Sequence, residues 1–115
     1  MQFIAIDVET ANANMASICQ IGIARFANGA LTDQWKTYVD PQDRFDAINV
    51  SIHGIDASRV AGSPTFGEVA NTLKGALNGQ IVVSHTAFDR VAISQASTKY
   101  KATMQRALGS TPLAS

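Results

Sequence analysis

Residues 2–12 read Gln-Phe-Ile-Ala-Ile-Asp-Val-Glu-Thr-Ala-Asn. Phe3, Ile4, Ala5 and Ile6 form a short apolar run with β-branched character, which predicts a strand in the middle of a sheet, buried on both faces. Two carboxylates follow. Asp7 and Glu9 are two positions apart, and because side chains alternate along a strand, both project from one face. Neighbouring anions in that position repel, raise each other's pKa or share a cation. A hard divalent ion such as Mg²⁺ or Mn²⁺ suits oxygen ligands and keeps several waters. An Asp-x-Glu pair also occurs simply where a strand runs into solvent, so its meaning depends on the rest of the chain.

Beyond a small, polar loop over residues 11–17, residues 18–26 and 31–39 read as two further strands. Asn28-Gly29 lies between them, the dipeptide that best meets the positive-φ demands of a tight hairpin turn. Short connections then predict an antiparallel meander of three strands. Asp40-Pro41 stops the third, since proline cannot donate to the ladder. A polar, irregular passage is expected to about Asn49, with His53-Gly54 in a loop and a short helical turn capped by Asp56.

Thr65 and Glu68 have capping-box spacing, and Phe66, Val69, Leu73 and Leu77 make one helical stripe that Asn78-Gly79 ends. Ile81-Val82-Val83 predicts a short buried strand, and His85-Thr86 turns the chain into a helix from about Ala87 to Tyr100. A strand that follows a crossover helix usually lies parallel to an earlier one, here the first. The order β-β-β-α-β-α makes the chain an α/β protein. Residues 1–100 are expected as the domain, and 101–115 as a C-terminal tail that is either helical, over Ala102 to Leu108, or disordered.

Composition narrows the function classes. The 115 residues carry nine Lys+Arg and nine Asp+Glu, a formal net charge of zero, so strong non-specific adhesion to polyanions is not expected. Any nucleic acid is expected to be held by a few local contacts. Cys19, the single cysteine, has apolar neighbours and reads as a packed thiol in a reducing compartment. No segment approaches the roughly 20 apolar residues of a membrane span, so the expected location is the cytoplasm, with no membrane partner.

Asp89 is the third acid of interest. It falls in the first turn of the helix after the fourth strand, and adjacency of strands one and four brings it to the crevice at their carboxyl ends, where α/β sheets bind ligands. Thr86-x-x-Asp89 also has near capping-box spacing, and a first-turn acid is favoured by the helix dipole.

Phe3-Ile-Ala-Ile-Asp7-Val-Glu9-Thr10, Ile18-Cys-Gln-Ile-Gly22, Ile52-His-Gly-Ile55, Pro64-Thr-Phe66 and Val83-Ser-His85-Thr-Ala-Phe88-Asp89 together resemble the DnaQ-like (DEDDh) proofreading 3′-5′ exonuclease family. Its members include the epsilon subunit of bacterial DNA polymerase III, ribonuclease T and oligoribonuclease. The resemblance covers about Met1 to Tyr100, in order and spacing. It implies a ribonuclease H-like fold and removal of nucleotides from 3′ ends with two divalent ions, Mg²⁺ or Mn²⁺, held by four acids. By the same resemblance Asp7, Glu9 and Asp89 are metal ligands and catalytic residues. Thr10, His53 and His85 lie beside the nucleotide, His85 matching a second-motif histidine that is not the general base. Taken alone, His85 reads as a partner for backbone or a carboxylate at the turn.

The sequence departs from the family at the third motif. A histidine followed some five residues later by the last aspartate is expected there, and neither His nor Asp occurs after Asp89. The chain therefore reads as the front part of the fold with its closing helix missing, weak or inactive in turnover. Its expected partners are the 3′ end of single-stranded DNA or RNA and a DNA polymerase subunit. An alternative is a catalytically silent nucleic-acid or polymerase-binding module. Without a closing helix the apolar sheet face is expected to be exposed, which invites self-association.

Overall fold

The computed structural model describes residues 1–100 and the short strand at 113–114. Strand β1 (Gln2–Thr10) is the centre of a five-stranded sheet ordered β3-β2-β1-β4-β5. Strands β2 (Ile18–Ala27) and β3 (Ala30–Tyr38) continue from it as an antiparallel meander, and β4 (Val82–Val83) lies parallel to β1. Asn28 and Gly29 both have positive φ, 53° and 80°, which is the backbone demand that their sequence signals. The α/β architecture expected from the sequence, a three-stranded antiparallel meander plus a parallel strand with flanking helices, is the one observed.

Ile4, Ile6 and Val8 project from β1 into the main core with Ile21, Ile23 and Val82. Helices α3 (Phe66–Leu77) and α4 (Ala87–Lys99) cover that face, contributing Phe66, Val69, Leu73 and Leu77 from one and Ala92, Ile93 and Ala96 from the other. The expectation that β1 is buried on both faces is corrected. Its other face carries Phe3, Ala5, Asp7 and Glu9, none of them fully buried. Opposite them on β2 stand Phe26, Ala24, Gly22 and Gln20, so the middle of this face is built from small side chains and stays shallow. Phe3 and Phe26 stack at its far end with centroids 5.0 Å apart.

Local chemistry sets the helix ends. The Thr65 hydroxyl accepts from the Glu68 amide while the Glu68 carboxylate accepts from the Thr65 amide, a complete capping box. Asp56 caps the four-residue helix α2 (Ala57–Val60) by accepting from the Arg59 amide. Tyr100 ends α4 against Phe66, with ring centroids 6.1 Å apart, and donates its hydroxyl to Gln42.

The passage expected to be irregular is instead partly helical: Ala47–His53 forms helix α1, closed by Gly54 in the left-handed conformation at φ 74°. None of its residues is buried, and its N-cap, Asp46, makes no side-chain capping bond. Neither an apolar stripe nor a cap was there to signal it. Tertiary bonds hold it instead: the Asp46 amide donates to the Ala11 carbonyl, and Asn49 Nδ2 to the Thr10 carbonyl.

Strand β5 (Leu113–Ala114) runs parallel to β4 at the sheet edge. The helix expected over 102–108 and the turn after it lie outside the described residues. Among the described residues no helix is long and apolar enough to cross a membrane.

Leu73 is fully buried, whereas Ile48 is 68% exposed. Leu73→Ala is expected to lower unfolding stability in urea by about 2–5 kcal/mol, and Ile48→Ser to change it by no more than about 0.5 kcal/mol. Equal losses in the two variants would contradict this assignment of the core.

Candidate active site

Asp7 and Glu9 stand at the carboxyl end of β1 on its shallow face, with Val8 between them pointing into the core. β4 pairs with β1 only at Ile4 and Ala5, so beyond that point the β4-side edge of β1 has no strand beside it. Helix α4 starts there. Its first turn places Asp89, 5% exposed, so that Oδ1 accepts from the Val8 amide at 2.9 Å. The Thr86 hydroxyl caps the helix by accepting from the Phe88 amide, while the Asp89 carboxylate reaches across to β1.

Two of the three carboxylates titrate away from the ordinary range. Burial raises the pKa of Glu9 above the ordinary carboxylate value, and the charges of Asp7 and Asp89 raise it further, against the opposing pull of His53 and Lys36. Burial likewise raises Asp89; the Val8 amide works against that rise and the Asp7 charge adds to it. Among the described residues, no group of three or more His, Cys, Asp or Glu side chains is placed so that it could hold a metal ion by itself. The donor set nonetheless fits Mg²⁺ or Mn²⁺ in chemistry and charge. Such an ion keeps several waters and needs only one or two protein carboxylates together with substrate phosphate oxygens, and a cluster of mutually repelling carboxylates lacks only the opposite charge.

On the Glu9 side lies a cleft of about 230 Å³ lined by Glu9, Thr10, Asn49, Ile52, His53 and Phe88. His53 is fixed at both ring nitrogens. Nδ1 accepts from the Ile55 amide at 3.0 Å, so Nε2 carries the proton that goes to the Thr10 carbonyl at 2.8 Å. This pins the end of α1 to the end of β1. Thr10, Glu9 and His53 thus come together on one wall. His85 does not join them: it is exposed at the end of β4, and its charge acts on Asp89 across space.

Asn49, Ile52 and Phe88 were not singled out from the sequence as site residues. Asn49 and Ile52 belong to the helix that left no sequence signal, and Phe88 sits beside Asp89 with 40% of its surface exposed. An exposed aromatic adjoining a buried first-turn acid is the one hint that the sequence offered. Cys19 is fully buried with Ile55 and Val60, and burial, then the Glu9 charge, push its thiol up to about 12, as suits a packed thiol.

Comparison with known proteins bears on the family and the fold. The RNase T family model, described as exonuclease, matches residues 4–111. PolC-type DNA polymerase III of Caldanaerobacter subterraneus subsp. tengcongensis is 28% identical over 107 residues, a match covering 90% of this chain and 8% of that protein. That of Clostridium perfringens is 25% identical over 88 residues, covering 75% and 6%. The chain therefore spans under a tenth of the length of these curated relatives. Among solved structures, product-bound exonuclease I superposes with a TM-score of 0.80 at 14% identity, over 90% of this chain and 26% of that one. The nuclease domain of 3′hExo, a DEDDh family member bound to rAMP, gives 0.72 at 14% identity, over 90% and 61%. Exonuclease X in complex with 5′-overhanging duplex DNA gives 0.68 at 22% identity, over 79% and 52%.

The raised carboxylates carry a stability signature. Glu9 and Asp89 titrate higher in the folded than in the unfolded chain, so the ion-free protein bears a penalty at neutral pH, from burial first and from repulsion by Asp7 in addition, that fades as pH falls through the raised values. Asp7→Asn removes one source of it. The variant is expected to melt above the parent at pH 7 without divalent ions, and the gap to shrink on acidification through the carboxylate range. A variant melting at or below the parent at pH 7 would contradict the coupling.

Proposed function

The chain belongs to the RNase T exonuclease family, and from that premise we propose that it is the ion-binding front of a 3′-5′ exonuclease domain acting on DNA or RNA ends. The observation that carries this reading is the bond from the Val8 amide to Asp89, which draws the acid of a distant helix to the strand that bears Asp7 and Glu9. A family match over residues 4–111 supports it independently.

In this reading Asp7, Glu9 and Asp89 hold Mg²⁺ or Mn²⁺. Two such ions supply charge that favours a water nucleophile and stabilises the departing 3′ oxygen. The residues around them do the positioning. The Glu9 cleft offers Ile52 and Phe88, 76% and 40% exposed, as apolar surface for the terminal base. Thr10 and His53 form the wall beside it, His53 by keeping α1 in place. His85, exposed just past β4, acts on Asp89 through its charge.

Proton transfer is the missing part. Both ring nitrogens of His53 are engaged with backbone, and neither His nor Asp follows Asp89 in the sequence. General-base catalysis is worth about 10²–10⁴-fold, so the 115-residue chain on its own is expected to bind ions and a strand end but to turn over slowly or not at all. A DNA polymerase subunit is the kind of partner that this reading implies, and the cytoplasm the place. The runner-up, a binding module without chemistry, shares the strand-binding surface but requires no divalent ion.

The test uses single-stranded DNA labelled at its 5′ end. Strand binding is expected to strengthen with divalent ion and to lose that dependence in Asp7→Asn. Any residual cleavage with Mn²⁺ should shorten the strand from its 3′ end one nucleotide at a time and vanish in the same variant. Binding indifferent to both ion and Asp7 would favour the module. Rapid turnover by the parent would overturn the claim that its base is missing.

A further inference from the structure

A second cleft, about 470 Å³, opens on the other side of the carboxylates, with Ala5, Asp7, Gly22, Ala24, Gln34 and Lys36 among its lining residues. Strand register explains its shape. Asp7 of β1 stands opposite Gly22 of β2, and Gly22 opposite Lys36 of β3, so all three share one row on one face of the sheet. Neighbouring strands lie about 5 Å apart, which puts the Lys36 backbone roughly 10 Å from that of Asp7. A lysine side chain covers much of that distance if nothing stands between. Gly22, the residue between them in the row, offers no obstacle: a Cβ at that position would meet no heavy atom nearer than the Asp7 carbonyl oxygen at 3.8 Å.

Charge singles out Lys36 further. Of the described strand residues in the rows of this face, which also carry Glu9, Gln20, Ala24 and Gln34, Lys36 is the sole cation. It is exposed, and the ion pairs among the described residues are Arg25–Asp33 and Arg44–Asp46, so no carboxylate holds its ammonium. The Lys36 charge is nonetheless close enough to oppose the rise in the Glu9 pKa.

We propose that Lys36, reaching over the bare Gly22 on the Asp7 side of the carboxylates, holds a backbone phosphate of the bound nucleic-acid strand. This rests on the exonuclease reading above and deepens it. The terminal nucleotide occupies the Glu9 cleft, and an adjoining phosphate crosses the acidic pair into the second cleft, where the ammonium meets it as a point charge. A chain with zero formal net charge gains little from long-range attraction to a polyanion. One well-placed cation on the substrate path is what a neutral protein of this kind requires. With no strand bound, the same cation repels a metal ion from Asp7 and Glu9, so its removal acts on the two ligands in opposite directions.

The test measures both ligands on the full chain with Lys36→Gln and Lys36→Arg. Anisotropy of 5′-fluorescein-labelled single-stranded DNA in Ca²⁺ is followed over a salt series, and Mn²⁺ binding to the strand-free protein by calorimetry. For Lys36→Gln, strand affinity should fall several-fold, and the slope of log affinity against log salt should lessen by about 0.7, the share of one phosphate contact to a single strand. Mn²⁺ should bind more tightly. Lys36→Arg should keep the parental slope. A misfolded variant would weaken both ligands together, so the opposed signs separate contact from collapse. An unchanged salt slope with tighter Mn²⁺ would make Lys36 a counter-charge only and overturn the proposal. A parent that binds Mn²⁺ but no strand would overturn the exonuclease reading, and the proposal with it.

Discussion

One hydrogen bond, from the Val8 amide to the Asp89 carboxylate, closes a loop of 81 residues and brings the acid of α4 to the strand that carries Asp7 and Glu9. It exists because β4 is only two residues long. Had β4 run on beside β1, its carbonyls would have taken the strand-edge donors and α4 would have begun farther away. The truncated strand leaves the β1 edge open, and an acid in the first turn of α4 fills the gap. Buried peptide donors demand a partner, so Asp89 answers a structural need with one oxygen while the other remains a possible ligand atom. The site is built into the strand pairing and does not depend on loops.

The local signals in the sequence served where local physics decides. Asn28-Gly29 turns the hairpin, Thr65 and Glu68 cap α3, and the stripe from Phe66 to Leu77 is buried as its 3.6-residue period implies. Where non-local bonds decide, those signals were silent. Helix α1 has no buried side chain and no side-chain cap; the Thr10 and Ala11 carbonyls shape it from 35 or more residues away. With that helix went Asn49 and Ile52, two of the three residues that line the Glu9 cleft besides Glu9, Thr10 and His53. The shallow second face of β1 was misread for another reason: an apolar run shows that a strand is central, not whether both sides are covered.

The candidate site itself was partly readable. Alternation along β1 sufficed to place Asp7 and Glu9 together, and the parallel pairing of β4 to bring Asp89 near. What no spacing could show is that His53 has both nitrogens tied to backbone, which makes it a peg between α1 and β1. Nor could it show that Gly22 leaves a path from Lys36 to the acids, because that depends on the register of three strands at once. Two clefts therefore flank one acidic centre, one apolar on its far wall and one with a single cation. That asymmetry suits a strand that ends at the site.

The most direct measurement is anomalous diffraction from crystals of the chain soaked in Mn²⁺, with Asp7→Asn crystals as the control. The account predicts a manganese peak bound by carboxylate oxygens of Asp7 together with Glu9 or Asp89, with the Val8 amide still on Asp89 and the peak lost in the variant. Manganese bound elsewhere, or a peak that survives the substitution, would contradict it.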